Sequence, residues 1–83
     1  MTKGYVMVQC GAGFEEDAFK KMQEFAWIKE VHPLFGEYDF ILHVECSDPD
    51  ELAKRIIEDL RNIKGISTTK TFLEASFSAA PMK

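Results

Sequence analysis

Seven residues, Phe40-Ile41-Leu42-His43-Val44-Glu45-Cys46, alternate without a break between two characters. Successive side chains of a strand point to opposite faces, so Phe40, Leu42, Val44 and Cys46 share one face and Ile41, His43 and Glu45 the other. Such a strand belongs to an antiparallel sheet covered on one side. Tyr5–Cys10 reads in the same way, with Val6, Val8 and Cys10 on one face and Tyr5, Met7 and Gln9 on the other. A third run, Ile28–Phe35, carries Pro33, which has no N–H for a ladder bond. That strand is expected at a sheet edge or at a bulge.

Between these strands the period changes. Phe14, Ala18, Met22 and Phe25 repeat at helical spacing and predict a helix over Phe14–Phe25. Glu15, Glu16 and Asp17 fill its first turn, where the helix dipole favours carboxylates. Asp48-Pro49-Asp50-Glu51 is a second helix start, with Asp48 as N-cap, Pro49 at the first helical position and Glu51 at the capping-box position. This helix is expected over Pro49–Asn62, with Ala53, Ile56, Ile57 and Leu60 facing inward and Gly65 closing it. A last strand is expected over Ile66–Phe77, followed by a frayed tail at 78–83.

The order is β-α-β-β-α-β, the α+β ferredoxin-like split βαβ, with four antiparallel strands and two helices on one face. At 83 residues the chain forms a single domain over 1–83. The uncovered sheet face then matters, because Tyr5, Met7 and Ile41 lie on it with His43. A bare face with those apolar groups suits a monomer poorly. Dimerisation through it is the expected remedy.

Charge and cysteine content narrow the function. A formal net charge of −4, with the basic residues scattered, argues against direct DNA binding. Glu16 and Lys20 have the spacing of a helical ion pair. The chain has no run apolar enough to span a membrane and no secretory leader at Met1–Cys10, so a cytoplasmic protein is expected. Cys10 and Cys46 fall at opposite ends of neighbouring strands, roughly 20 Å apart by strand rise. A disulfide needs Cα atoms within ~7 Å, so both are read as free thiols, and neither has metal-site spacing. Gly11-Ala12-Gly13 is too short to cradle phosphate and reads as a turn.

Two polar clusters stand out against this plain background. Gly36-Glu37-Tyr38-Asp39 connects the second and third strands, and Ser67-Thr68-Thr69-Lys70-Thr71 opens the last one. Together they suggest a pocket for a small polar ligand with a cationic end. Gly36 permits positive φ and a close backbone approach. Thr69 and Thr71 alternate with Thr68 and Lys70, so their side chains share one face of the strand.

Phe35-Gly36-Glu37-Tyr38-Asp39-Phe40-Ile41, the capped helix, Ile63-Lys64-Gly65-Ile66 and Thr69-Lys70-Thr71 together carry a family pattern. Over about residues 3–77 the chain resembles a stand-alone RAM module, the effector-binding domain of the Lrp/AsnC regulators, without their helix-turn-helix domain. Two features depart from that pattern, Lys64-Gly65-Ile66 after the second helix and His32-Pro33 in the second strand. The resemblance implies βαββαβ dimers, assemblies of those dimers, and a small amino-acid effector bound between them. It implies Gly36, Glu37, Tyr38, Asp39, Thr69 and Thr71 as the ligand-binding residues, and full-length Lrp/AsnC-type regulators as further candidate partners. Glu37 or Asp39 would accept hydrogen bonds from the ligand's ammonium. Because the loop is exposed, replacing Asp39 is expected to leave stability nearly unchanged.

No cofactor, metal or catalytic residue is implied. The main rival is a cofactor-independent enzyme of the dimeric α/β-barrel type, in which His43 and Trp27 or His32 would line a cavity. An ACT-like sensor and a pure assembly module without ligand are the others. An enzyme would place its cavity between sheet and helices, whereas an effector module would place its pocket between subunits.

Overall fold

The computed structural model describes residues 1–75. The elements are β1 (Thr2–Cys10), α1 (Glu15–Met22), β2 (Ile28–Pro33), β3 (Phe40–Cys46), α2 (Pro49–Arg55), a π-helical segment (Ile56–Leu60) and β4 (Ile66–Leu73). This is the expected βαββαβ order. The four strands form one antiparallel sheet in the order β2-β3-β1-β4.

Alternation sets the sheet's two faces. Val6, Val8, Leu42 and Val44 are completely buried against the helices, and Phe40 and Cys46 nearly so. β1 and β3 pair from Thr2↔Cys46 to Val8↔Phe40, so their core residues lie side by side. Cys10 and Cys46 are indeed free and lie toward opposite ends of these strands. β2 is an edge strand, as Pro33 requires, and it stops at that proline. Its ladder with β3 slips between Ile28 and Glu30.

The helices differ from expectation in ways that physics explains. α1 is shorter at both ends than the expected Phe14–Phe25. Phe14 is the N-cap, and after Met22 the chain tightens into turns, with Glu24 N–H bonding the Lys21 carbonyl and Phe25 N–H that of Met22. Phe25 still packs on the core from the turn. Asp48 caps α2 as expected, its carboxylate accepting from Glu51 N–H at 2.8 Å. The Glu51 side chain is taken by the Ser47 hydroxyl.

The inward stripe of α2 is Leu52, Ile56 and Leu60 rather than the expected set. Ala53 is exposed and Ile57 is 61% exposed. A residue adjacent to the stripe is rotated by about 100°, so Ala53 and Ile57 cannot join Leu52 and Ile56 on one face. The π-helical segment explains how Leu60 keeps its place. Arg61 N–H bonds the carbonyl five residues back, Ile56, at 2.9 Å. The wider turn reduces the drift of residues spaced by four, and Leu60 stays beneath Ile56.

β4 begins as expected at Ile66 and ends at Leu73, short of Phe77. Glu74 N–H adds one more bond to the Lys3 carbonyl. Residues 76 and 77 of the expected strand and the expected tail at 78–83 lie outside the described residues. Gly65, at φ +96°, makes the turn into β4 and accepts a bond from Gly11 N–H at 2.8 Å. No helix among the described residues is long and apolar enough to cross a membrane.

Candidate functional site

The β2–β3 connection is closed at its neck and tied to the central strand. Leu34 N–H bonds the Asp39 carbonyl, and Asp39 N–H bonds that of Val8, both at 2.8 Å. Gly36, at φ +133°, makes a bend that a side chain would strain. The Gln9 amide donates to the Glu37 carbonyl at 2.7 Å, and Cys10 N–H donates to Asp39 Oδ2 at 2.8 Å. Four hydrogen bonds therefore hold a six-residue loop in one place beside the end of β1.

The second polar cluster reaches the same point from the other side. Thr68 pairs with Gln9, the ladder slips at the next step, and the Ser67 hydroxyl donates to the Gln9 carbonyl at 3.2 Å. Gln9 is thus where the two clusters meet. Lys70 pairs with Met7, which places it on the open sheet face. Its ammonium lies 5.9 Å from the centre of the Tyr38 ring. Thr69 and Thr71 pair with Val8 and Val6, so both share the helix-side face of β4.

The six residues singled out from the sequence are therefore divided. Glu37, Tyr38 and Asp39 sit on one tethered loop with Gly36, while Thr69 and Thr71 lie across β1 and on the other face from Lys70. Gln9 and Lys70 also lie at the loop, though neither was singled out as a site residue. Their signal was the strand register, which brings Gln9 beside Thr68 and Lys70 beside Met7, and no single run of sequence contains it. Asp39 also differs from expectation. It is half-buried and bonds the backbone of β1, so it helps to hold the fold.

Electrostatics at the loop follow from this. Burial, then the Asp39 and Glu15 carboxylates, push the Cys10 thiol above its ordinary range. A groove of about 410 Å³ lies beside the loop, between Phe19, Phe40 and the acidic pair Glu15 and Glu16, with Phe35 fully exposed at its rim. A larger groove of about 710 Å³, between α1 and the π-helical segment, shares no residue with the loop.

The open face carries Tyr5, Met7, Ile41 and His43 together. Tyr5 and His43 are paired across β1 and β3, with rings stacked at 5.2 Å, and Met7 pairs with Ile41. Phe72, more than half exposed, extends the row beyond Tyr5. On the β2 side His32 bonds Glu30 at 3.0 Å and lowers its pKa.

The residues that would line an enzyme cavity are separated. Trp27 is buried on the helix side, donating to Asp59 at 3.0 Å, whereas His43 and His32 lie on the open face. The space between sheet and helices is filled by fully buried side chains such as Val6, Leu42, Met22 and Leu60. Among the described residues no cluster of three His, Cys, Asp or Glu is placed to hold a metal ion.

The element order and sheet order define an α+β domain of the ferredoxin-like βαββαβ kind. Residues 3–76 match the family model described as the Lrp/AsnC ligand binding domain, and the chain belongs to that family. Over 69 residues it is 36% identical to a homocitrate synthase of Sulfurisphaera tokodaii, covering 82% of this chain and 15% of that protein. It is 32% identical over 59 residues to an uncharacterized HTH-type transcriptional regulator of Pyrococcus furiosus, covering 71% of this chain and 39% of the regulator. The chain thus spans well under half of either relative. The crystal structure of FFRP-DM1 superposes with a TM-score of 0.86 at 28% identity, covering 90% of this chain and all of that one. The L-Met complex of the transcriptional regulator NMB0573 of Neisseria meningitidis shares the fold, with a TM-score of 0.81 at 14% identity over 90% of this chain and 50% of that one.

Proposed function

We propose that this chain senses a small amino acid at the Gly36–Asp39 loop and works as a dimer, or an assembly of dimers, joined through the open sheet face. The observation that carries this reading is the tethered loop. Four hydrogen bonds hold the loop beside Gln9 and fix the Asp39 carboxylate, so an acceptor for an ammonium group is ordered before any ligand arrives. Preorganised acceptors lower the entropy cost of binding a small polar molecule. The regulator crystallised with L-Met supports the ligand class. Thr69 and Thr71 would serve a ligand held between subunits, since they do not face Tyr38 and Lys70 within one chain.

The regulator relatives support full-length Lrp/AsnC-type proteins as partners that this module would join and modulate. A second reading rests on the homocitrate synthase match: the same module also occurs as a segment of an enzyme, so an enzyme is a candidate partner for it. Titration calorimetry with the twenty amino acids tests the ligand. Saturable heat with one or a few of them is expected. No binding at millimolar concentration would leave a ligand-free assembly module as the better account.

A further inference from the structure

The reading above supplies acceptors for the ligand's ammonium and leaves its carboxylate without a named cation. We infer that Lys70 is that cation and that it restricts the site to ligands with a free carboxylate.

The chain holds 14 acidic residues against 10 lysines and arginines, yet among the described residues three of these cations form ion pairs. Lys20 pairs with Glu16, Lys54 with Glu58, and Arg55 with Glu51 and Asp59. Lys70 shares the lack of a carboxylate partner with Lys3, Lys21, Lys29, Arg61 and Lys64 among the described residues, and its place beside the loop sets it apart from them. Its ammonium is held instead over the ring of Tyr38, in the loop that carries Glu37 and Asp39. A ring face attracts a cation without neutralising it, so the charge stays available to an anion. Gln9, beneath the same corner of the open face, is fixed by its bond to Glu37 and holds the loop within Lys70's reach.

Lys70 and the loop that carries Glu37 and Asp39 are thus brought to the same end of the sheet, which supplies both signs of charge that a zwitterion requires. Lys70 also sits on the edge strand β4, at the rim of the open face, so pairing of that face would leave it at a subunit boundary. Thr69 and Thr71, on the other face of β4, do not take part in this contact.

This inference rests on the amino-acid reading, and its test separates the two. The twenty L-amino acids are titrated into the wild-type protein, followed by the carboxamide of the tightest binder. The same pair is then titrated into Lys70→Met and Lys70→Arg, with thermal unfolding as the check on folding. The amino acid should bind the wild type at least tenfold tighter than its amide, as loss of a charge-assisted hydrogen bond implies. Lys70→Met should remove that preference by weakening the amino acid to the level of the amide, and Lys70→Arg should keep most of it. Binding of the amino acid with an undiminished preference in Lys70→Met would overturn the role of Lys70 and leave the amino-acid site standing. Equal weakening of acid and amide would also overturn it. If no amino acid binds the wild type, both readings fall.

Discussion

Replacing Asp39 should destabilise the domain, because its carboxylate closes the end of β1. One oxygen accepts from Cys10 N–H at 2.8 Å, and the residue is half-buried. Asp39→Ala leaves that N–H with no protein acceptor in this geometry. A hydrogen bond to a charged group contributes roughly 1.5–3 kcal/mol, and partial exposure favours the lower end because water can replace the acceptor. A loss of about 1.5 kcal/mol in a domain of this size lowers the melting temperature by roughly 6–12 °C. Asp39→Asn keeps an oxygen acceptor and loses only its charge, so it should lie between, at about 0.5–1 kcal/mol. Urea unfolding measures this directly if protomer concentration is held constant, since association shifts apparent stability. The midpoint should fall while the slope is unchanged. A loss below about 0.5 kcal/mol for Asp39→Ala would refute the anchoring role. The comparison also decides how binding data are read: a weaker ligand affinity in Asp39→Ala mixes lost contact with a loosened loop, whereas Asp39→Asn isolates the charge.

Gly65→Ala should cost roughly 2–4 kcal/mol by chemical denaturation, from the positive φ and from overlap of the new methyl with Phe14; a neutral result would mean that the turn can rebuild. Met7→Asp or Ile41→Asp should weaken self-association at least tenfold in sedimentation equilibrium, since an unpaired charge buried at an interface costs several kcal/mol; a wild type that is monomeric at micromolar concentration would sink the dimer itself. Burial and the Asp39 charge keep Cys10 in its thiol form, so its alkylation at pH 8 should accelerate in Asp39→Asn, and an unchanged rate would contradict the coupling. Burial raises the thiols of both Cys10 and Cys46, so their contribution to stability is complete below the ordinary thiol range and is lost as pH rises beyond it.

Most of the fold was legible because its signals are local. The alternation of Phe40–Cys46 placed β3 with its observed ends, and Asp48-Pro49 placed the start of α2. Helix ends were less legible, since Gln23, Glu24 and Phe25 continue a helical pattern while the backbone has already tightened into turns. The inward face of α2 was misassigned for a related reason. Ala53 and Ile57 are apolar at helical spacing, as Leu52 and Ile56 are, and the packing of Leu52, Ile56 and Leu60 on the sheet selects between them.

The candidate site depends on pairing between strands distant in sequence, and local patterns carry little of that information. A shift of one residue between β1 and β4 would move Thr69 and Thr71 to the open face and Lys70 to the helix side. The observed register instead sets Val8 beside Thr69 and Met7 beside Lys70. Val6 and Val8 face the helices and fix the two faces of β1, and at Gly4, where a side chain would overlap the Phe72 carbonyl, β4 lies close against β1. The same register sets Thr68 beside Gln9, which is bonded to the loop. A substitution that shifts β4, such as Gly4→Ala, would displace Lys70 relative to Tyr38 without altering either residue. Lys70 keeps its place over Tyr38 only while the pairing of β1 with β4 holds.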